Sequence, residues 1–163
     1  MKTLKRRRQE NKTDYAKRIK LLKGELPRIV IRKTNKYISI QHVTSKEAQD
    51  KIEAGINSKV LLNYGWPKEA KGSLKSIHAA YLTGYLFGKK ISQQGKEKDI
   101  IIDFGMIRNL HKTKIYAAVK GLIDAGVQIK YKKDIFPDEN RIKGNHMKNK
   151  INVESIKSKI TKE

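Results

Sequence analysis

Hydrophobic and polar positions alternate along this chain in two different rhythms, and their order predicts the fold. Ile29 to Arg32 and Tyr37 to Val43 are β-branched runs on either side of a polar break at Lys33, Thr34, Asn35 and Lys36. Asn tolerates positive φ and closes tight turns, so the break predicts a hairpin. In the second run Ile38 and Ile40 alternate with Tyr37, Ser39 and Gln41, which gives one buried and one polar face. Lys51 to Asn57 alternates again through Ile52, Ala54 and Ile56 and predicts the third strand of an antiparallel meander. Ser58 then caps a short predicted helix through Leu62, and Lys68 to Lys75 reads as a loop. The longest helix is predicted from Ser76 to Gln93, with Ile77, Tyr81, Leu82, Tyr85 and Leu86 on its apolar side. Within it Ala80, Gly84 and Gly88 form a line of small residues, which predicts close packing on a sheet.

The stretch from Asp99 to Phe104 is the most apolar strand, and its unbroken Ile run predicts a central position covered on both faces. A helix follows from Lys112 to Ala125 through Ile115, Val119 and Leu122, with Gly126 where a C-terminal cap belongs. Ile135-Phe136-Pro137-Asp138 predicts a turn into a short helix through His146. The resulting order is strand, strand, strand, helix, strand, helix. That order predicts an α/β domain of three layers with a mixed, largely antiparallel sheet. Residues 28–147 form this domain, 1–27 a basic arm with a short helix, and 148–163 a Lys-rich, solvated tail, either helical or without regular structure.

Charge changes the picture. The 163 residues hold 38 Lys and Arg against 16 Asp and Glu, for a formal net charge of +22. Such an excess calls for a polyanion, above all nucleic acid. An anionic membrane surface is the rival, but no apolar run approaches the roughly 20 residues that span a bilayer. Cysteine is absent, which excludes disulfides and thiolate metal sites. Half of the net charge lies in residues 1–36, where 14 Lys and Arg face three acids. Met1 to Lys12 has no hydrophobic period and reads as an arm that orders on binding. Thr13 is a good N-cap, Asp14 suits the positive helix end, and Gly24 is a natural stop. Tyr15, Ile19 and Leu22 form the narrow apolar stripe by which this basic helix would dock.

Apparent catalytic motifs fail on inspection. Asp103-Phe104-Gly105 spells the metal-binding tripeptide of protein kinases, yet no Gly-rich loop or catalytic-loop motif accompanies it. It reads as a strand end followed by a glycine turn. His42 and His78 read as core-edge residues and His111 and His146 as surface ones; none shows metal-ligand spacing. The acids Asp99, Asp103, Asp124, Asp138 and Glu139 form no convincing pair for acid–base work. No phosphate loop is present. No catalytic, metal or cofactor site is expected.

Several blocks carry a family resemblance. The opening Arg6-Arg7-Arg8-Gln9-Glu10-Asn11-Lys12-Thr13-Asp14-Tyr15 is followed by Leu21-Leu22-Lys23, Pro27-Arg28 and Val30-Ile31-Arg32-Lys33-Thr34-Asn35-Lys36. Then come Tyr64-Gly65-Trp66, Ala79-Ala80-Tyr81-Leu82-Thr83-Gly84, Asp124-Ala125-Gly126, Ile135-Phe136-Pro137-Asp138 and Arg141-Ile142-Lys143-Gly144. In this order and spacing they resemble the archaeal and eukaryotic branch of large-subunit ribosomal protein eighteen, the 5S rRNA-binding family. The chain departs from the family pattern at Ser76-Ile77-His78 and at His111-Lys112-Thr113-Lys114, so contacts there are not carried over. The resemblance implies a cytoplasmic, non-enzymatic constituent of the large subunit. It would clasp 5S rRNA and anchor it to 23S-type rRNA in the central protuberance, among neighbouring ribosomal proteins.

Within that picture Arg6, Arg7, Arg8, Lys12, Arg18 and Arg28 would pair with phosphates, Arg by bidentate geometry. Base-paired RNA has a deep, narrow major groove, so recognition would be by shape rather than by sequence. Tyr15 and Tyr37 each either stack on an exposed base or pack within the protein. Arg32, Lys33 and Lys36 crowd the hairpin tip, either as charged edge protection or as an RNA-facing patch. Turn geometry alone would explain Asn35, or it too faces RNA. Two other classes remain: an RNA-processing nuclease using Asp103 as a metal carboxylate, and a general nucleic-acid architectural protein.

Overall fold

In the computed structural model, which describes residues 3–95, 100–144 and 151–161, a four-stranded mixed sheet carries helices. The strands are β1 (Arg28–Lys33), β2 (Ile38–Lys46), β3 (Gln49–Asn57) and β4 (Ile101–Asp103), in the order β3-β2-β1-β4. β1 pairs antiparallel with β2 from Arg28↔Val43 to Lys33↔Ile38, and parallel with β4. The helices are α1 (Arg6–Gln9), α2 (Tyr15–Lys23), α3 (Ile77–Gln93), α4 (Lys114–Asp124), α5 (Glu139–Lys143) and α6 (Val153–Thr161). The 3-10 segments Ser58–Tyr64, Glu69–Ser73 and Lys133–Ile135 fill the connections. The expected strand start at Asp99 and the expected helix end at His146 lie outside the described residues.

The predicted hairpin forms, but a different residue closes it. Asn35 does not adopt positive φ. Thr34 makes the turn instead: its N–H donates to the Tyr37 carbonyl at 2.9 Å, and its Oγ1 accepts from the Tyr37 N–H at 2.9 Å. Ile29, Ile31, Ile38 and Ile40 are fully buried on one sheet face, as the alternation predicts. On β3 the alternation holds less well. Ala54 is buried but Ile52 is exposed, because a bulge at His42/Val43 leaves Glu53 as the extra residue and shifts the register beyond it. The bulge also explains why consecutive residues, His42 and Val43, are both buried.

The β2–β3 turn carries no sequence signal. Lys46 pairs with Gln49, so Glu47 and Ala48 alone span it, at φ 51° and 65°. Two-residue turns with positive φ at both positions favour Asn and Gly, and each side chain held there costs about 1–2 kcal/mol.

Two expectations about the sheet and helix layers are overturned. β4 is an edge strand, with Ile101 and Ile102 only half-buried, so its Ile run does not mark a central position. The small-residue line of α3 faces a helix and not the sheet. A Cβ on Gly84 would run into the Ala118 carbonyl, one on Gly121 into the Tyr81 carbonyl, and one on Gly88 would meet the Ala125 Cβ at 2.6 Å. The α3 and α4 backbones therefore touch almost directly. α3 is buried nearly all round, because α4, α5 and α6 cover the sides that the sheet does not.

The C-terminal segment is not a solvated tail. Ile151, Val153, Ile156 and Ile160 are buried in the same core as the sheet, and α6 packs on α3. Its apolar positions are spaced at three and four residues between lysines, which covers the core with one face and leaves charge on the other. The N-terminal arm is not without structure either: Arg6–Gln9 form one helical turn.

Substituting Gly84 by Ala should destabilise the domain by about 1–3 kcal/mol, since the backbone of Ala118 must move. Gly72→Ala, where nothing lies within 4 Å of an added Cβ, is the control. Thermal unfolding of the two variants separates them, and equal melting curves would mean that α3 and α4 are not in close contact. Replacing Glu47-Ala48 by Asn-Gly should instead raise stability, by roughly 1 kcal/mol.

Candidate nucleic-acid interface

The second face of β1 presents Arg28, Val30 and Arg32, because Ile29 and Ile31 point to the core. Beside this face lies α2. Asp14 caps it by accepting the Lys17 N–H at 3.2 Å, so Asp14 and not Thr13 is the N-cap. Thr13 instead accepts from Arg7 Nε at 2.9 Å. The expected apolar docking stripe does not form. Ile19 is 52% exposed and α2 has no buried residue. Polar links hold the helix: Lys17 Nζ donates to the Gly105 carbonyl at 3.1 Å, and Arg18 Nη1 donates to Asp50 at 3.0 Å.

Two of the predicted RNA-binding arginines also make ion pairs within the protein, Arg28 while buried and Arg32 with its side chain 41% exposed. The Arg28 side chain is 3% exposed, and its Nη2 donates to Ser45 Oγ and Asp50 Oδ1, both at 2.7 Å. Asp50 thus gathers Arg18, Arg28 and Ser45. Burial works against its charged form, but the Ser45 and Arg18 hydrogen bonds and the nearby Arg28 outweigh it and hold its pKa below the ordinary value.

Arg32 has left the hairpin tip. Its guanidinium donates to the Asp103 carbonyl at 2.8 Å and to Asp103 Oδ2 at 3.0 Å. The Gly105 N–H donates to the other carboxylate oxygen at 2.7 Å. Gly105 has φ +61°, and a Cβ there would sit 2.9 Å from Arg32 Cζ. The Asp-Phe-Gly run is therefore a strand end clamped by an arginine, as its glycine turn suggested. Burial again opposes the Asp103 charge, while Gly105 and then Arg32 overcome it and lower the pKa. Among the described residues no group of three or more His, Cys, Asp or Glu could hold a metal ion.

The other predicted ligands stay accessible. Arg6 and Lys12 both pair with Glu10, at 3.0 and 2.7 Å, on the exposed arm. Arg8, Lys33, Asn35 and Lys36 are exposed, and the three cations form no ion pair among the described residues. Tyr15 is half-buried with Lys5 Nζ 4.7 Å over its ring, whereas Tyr37 packs against the core. His42 and His78 are buried as expected: His42 lies 3.4 Å from Glu53, and His78 Nδ1 is 2.7 Å from the Ile142 carbonyl. His111 is exposed, and His146 lies outside the described residues. The structure also brings together lysines that the sequence did not assign. Burial first, and then Lys33 and Lys75, lower the pKa of Lys114, so the hairpin tip shares its field with the start of α3 and α4. Lys114 lies in one block, and Lys75 beside the other, where the chain departs from the pattern it otherwise resembles.

Residues 1–101 match the family described as ribosomal large subunit proteins 60S L5 and 50S L18. The chain belongs to this family. It is 43% identical over 142 residues to the large ribosomal subunit protein uL18 of Korarchaeum cryptofilum, covering 87% of this chain and 70% of the relative. It is 40% identical to uL18 of Methanoregula boonei, over 87% of this chain and 79% of that one. Against uL18 of Methanothrix thermoacetophila it is 38% identical over 151 residues, which span 93% and 86% of the two chains. Each of these relatives is named as a protein of the large ribosomal subunit.

The lowered pKa values of Asp50 and Asp103 have a pH consequence. A carboxylate with a depressed folded pKa stabilises the fold fully above its unfolded value, about 4, and loses that contribution as pH falls through the folded one. Melting temperatures from pH 6 to 2 should therefore fall only on the acid side, and Asp103→Asn should lower the plateau and flatten that fall. An unchanged acid limb would mean that Asp103 does not hold Arg32. The hairpin tip divides likewise: Arg32→Ala should lower the melting temperature, and Lys33→Ala with Lys36→Ala should leave it unchanged while weakening RNA binding.

Proposed function

We propose that this chain binds 5S rRNA and anchors it to 23S-type rRNA in the central protuberance, alongside neighbouring large-subunit proteins and without catalysing a reaction. The observation that carries this reading is the split use of the cations. Arg28 and Arg32 are bound internally, whereas Arg8, Lys33 and Lys36 project from the arm and hairpin tip with no carboxylate beside them among the described residues. Unpaired surface cations repel one another and gain most from a polyphosphate that releases its counterions on binding. Residues 1–27 and the hairpin tip of the 28–147 body serve as the grip. Arg6, Arg7, Arg8, Lys12 and Arg18 supply charge there, Lys33, Lys36 and Asn35 complete the tip, and Tyr15 offers a ring to an unstacked base.

Deleting Met1 to Lys12 tests this. The described part of that segment buries no residue, so the melting temperature of the free protein should barely move. Binding to 5S rRNA should weaken, and the log–log salt slope should shrink by roughly 0.7–0.9 for every cation–phosphate pair that the deletion removes. The full chain should also prefer 5S rRNA over duplex DNA in competition. Equal affinity for both would favour a general architectural protein, and an unchanged slope would remove the arm from the 5S interface.

A further inference from the structure

Arg7, Lys12, Lys17, Arg18, Arg28 and Arg32 are scattered over 26 positions of sequence, yet all six line one cleft of about 160 Å³. α1 and the link after it supply one wall, α2 the second, and the polar face of β1 the floor. Two carboxylates share the cleft, and both are engaged. Asp14 caps α2, and Asp103 receives Arg32 and the Gly105 N–H. Among the six cations Lys12 pairs with Glu10, Arg18 and Arg28 share Asp50 and Arg32 pairs with Asp103, so the surplus that remains in this concave space centres on Arg7 and Lys17. Polar links such as Lys17 to the Gly105 carbonyl join its walls, and α2 has no fully buried residue. An anion seated between the walls would relieve repulsion among the cations and tie α1 and α2 to the sheet.

We propose that this cleft is a seat for one phosphodiester of the bound RNA backbone, and that filling it locks the N-terminal helices onto the sheet. The proposal rests on the reading of the arm as an RNA grip. The space accommodates a phosphoryl group with its first shell of donors, and it is too small for a stacked pair of bases. Charge complementarity identifies the occupant: six cations line the cleft, and Arg6 and Arg8 of α1 are exposed beside Arg7 in the chain. Arg28 and Arg32 contribute fixed charge from the floor, held in place by Asp50 and Asp103. Arg7 and Lys12 are the closing side chains. They line the cleft from the arm, and Arg7 is already oriented by Thr13.

The test compares two double variants of the full chain with the same change in charge. Arg7→Gln with Lys12→Gln removes the closing pair, and Arg6→Gln with Arg8→Gln removes two arm cations that do not line the cleft. Both should melt with the wild type. Against a 5S rRNA transcript, the cleft variant should lose about tenfold in affinity, as expected for a charge-assisted contact. The outer variant should lose clearly less. Trypsin should also cleave within residues 3–24 more slowly when RNA is bound, for the wild type and the outer variant but not for the cleft variant. Equal losses for the two variants, or equal protection, overturn the cleft while leaving the arm as a diffuse grip. If the wild type itself shows no preference for 5S rRNA, the reading beneath the proposal fails instead.

Discussion

The close contact between α3 and α4 is the constraint on which the remaining structure depends. Gly84 and Gly121 let each backbone rest against a carbonyl of the other helix, and Gly88 leaves room for Ala125. Interiors are packed to crystal density, so a separation larger by one methyl would leave gaps or displace whole helices. α3 is also the element that touches β2, β3, α5 and α6. Its seating on α4 therefore sets where the C-terminal helix lands and where the start of α4 sits relative to the hairpin tip.

Charge in this protein has two separate jobs, and the structure distinguishes them by burial and partner. Arg28 and Arg32 hold the β2–β3 turn and the end of β4, each through a carboxylate whose pKa the interaction lowers. Arg18 ties α2 to the β2–β3 turn by donating to both Asp50 and the Ala48 carbonyl. That bond lies on the turn whose side chains occupy unfavourable φ, so the basic helix supports a strained part of the sheet. Arg8, Lys33 and Lys36 are exposed and keep that surface ready for a polyanion.

The elements were legible because their hydrophobic periods are strong. Ile29, Ile31, Ile38 and Ile40 alternate cleanly, and Ser76 caps α3 where the sequence places it, accepting the Ala79 N–H at 3.3 Å. The ordered motif blocks likewise pointed to the family to which the chain belongs. The Ile run of β4 misled because an apolar run records burial, not position: Ile100 is buried although the strand lies at the edge. The turn at Glu47 and Ala48 was invisible because neither residue favours positive φ. The weak period after residue 148 concealed a core-packing helix whose few apolar positions are all buried.

What the chain determined by itself is which segments become strands and helices, since propensity, period and capping act over a few residues. It also determined the formal net charge of +22, because net charge needs no geometry. Only the tertiary structure decided which cations face outward. Arg28 and Arg32 share residue type and neighbourhood with the exposed Lys33, and separate from it only when Asp50 and Asp103, 22 and 71 positions along the chain, arrive beside them. A contact between residues so far apart is set by sheet register and helix packing, and no local pattern encodes it.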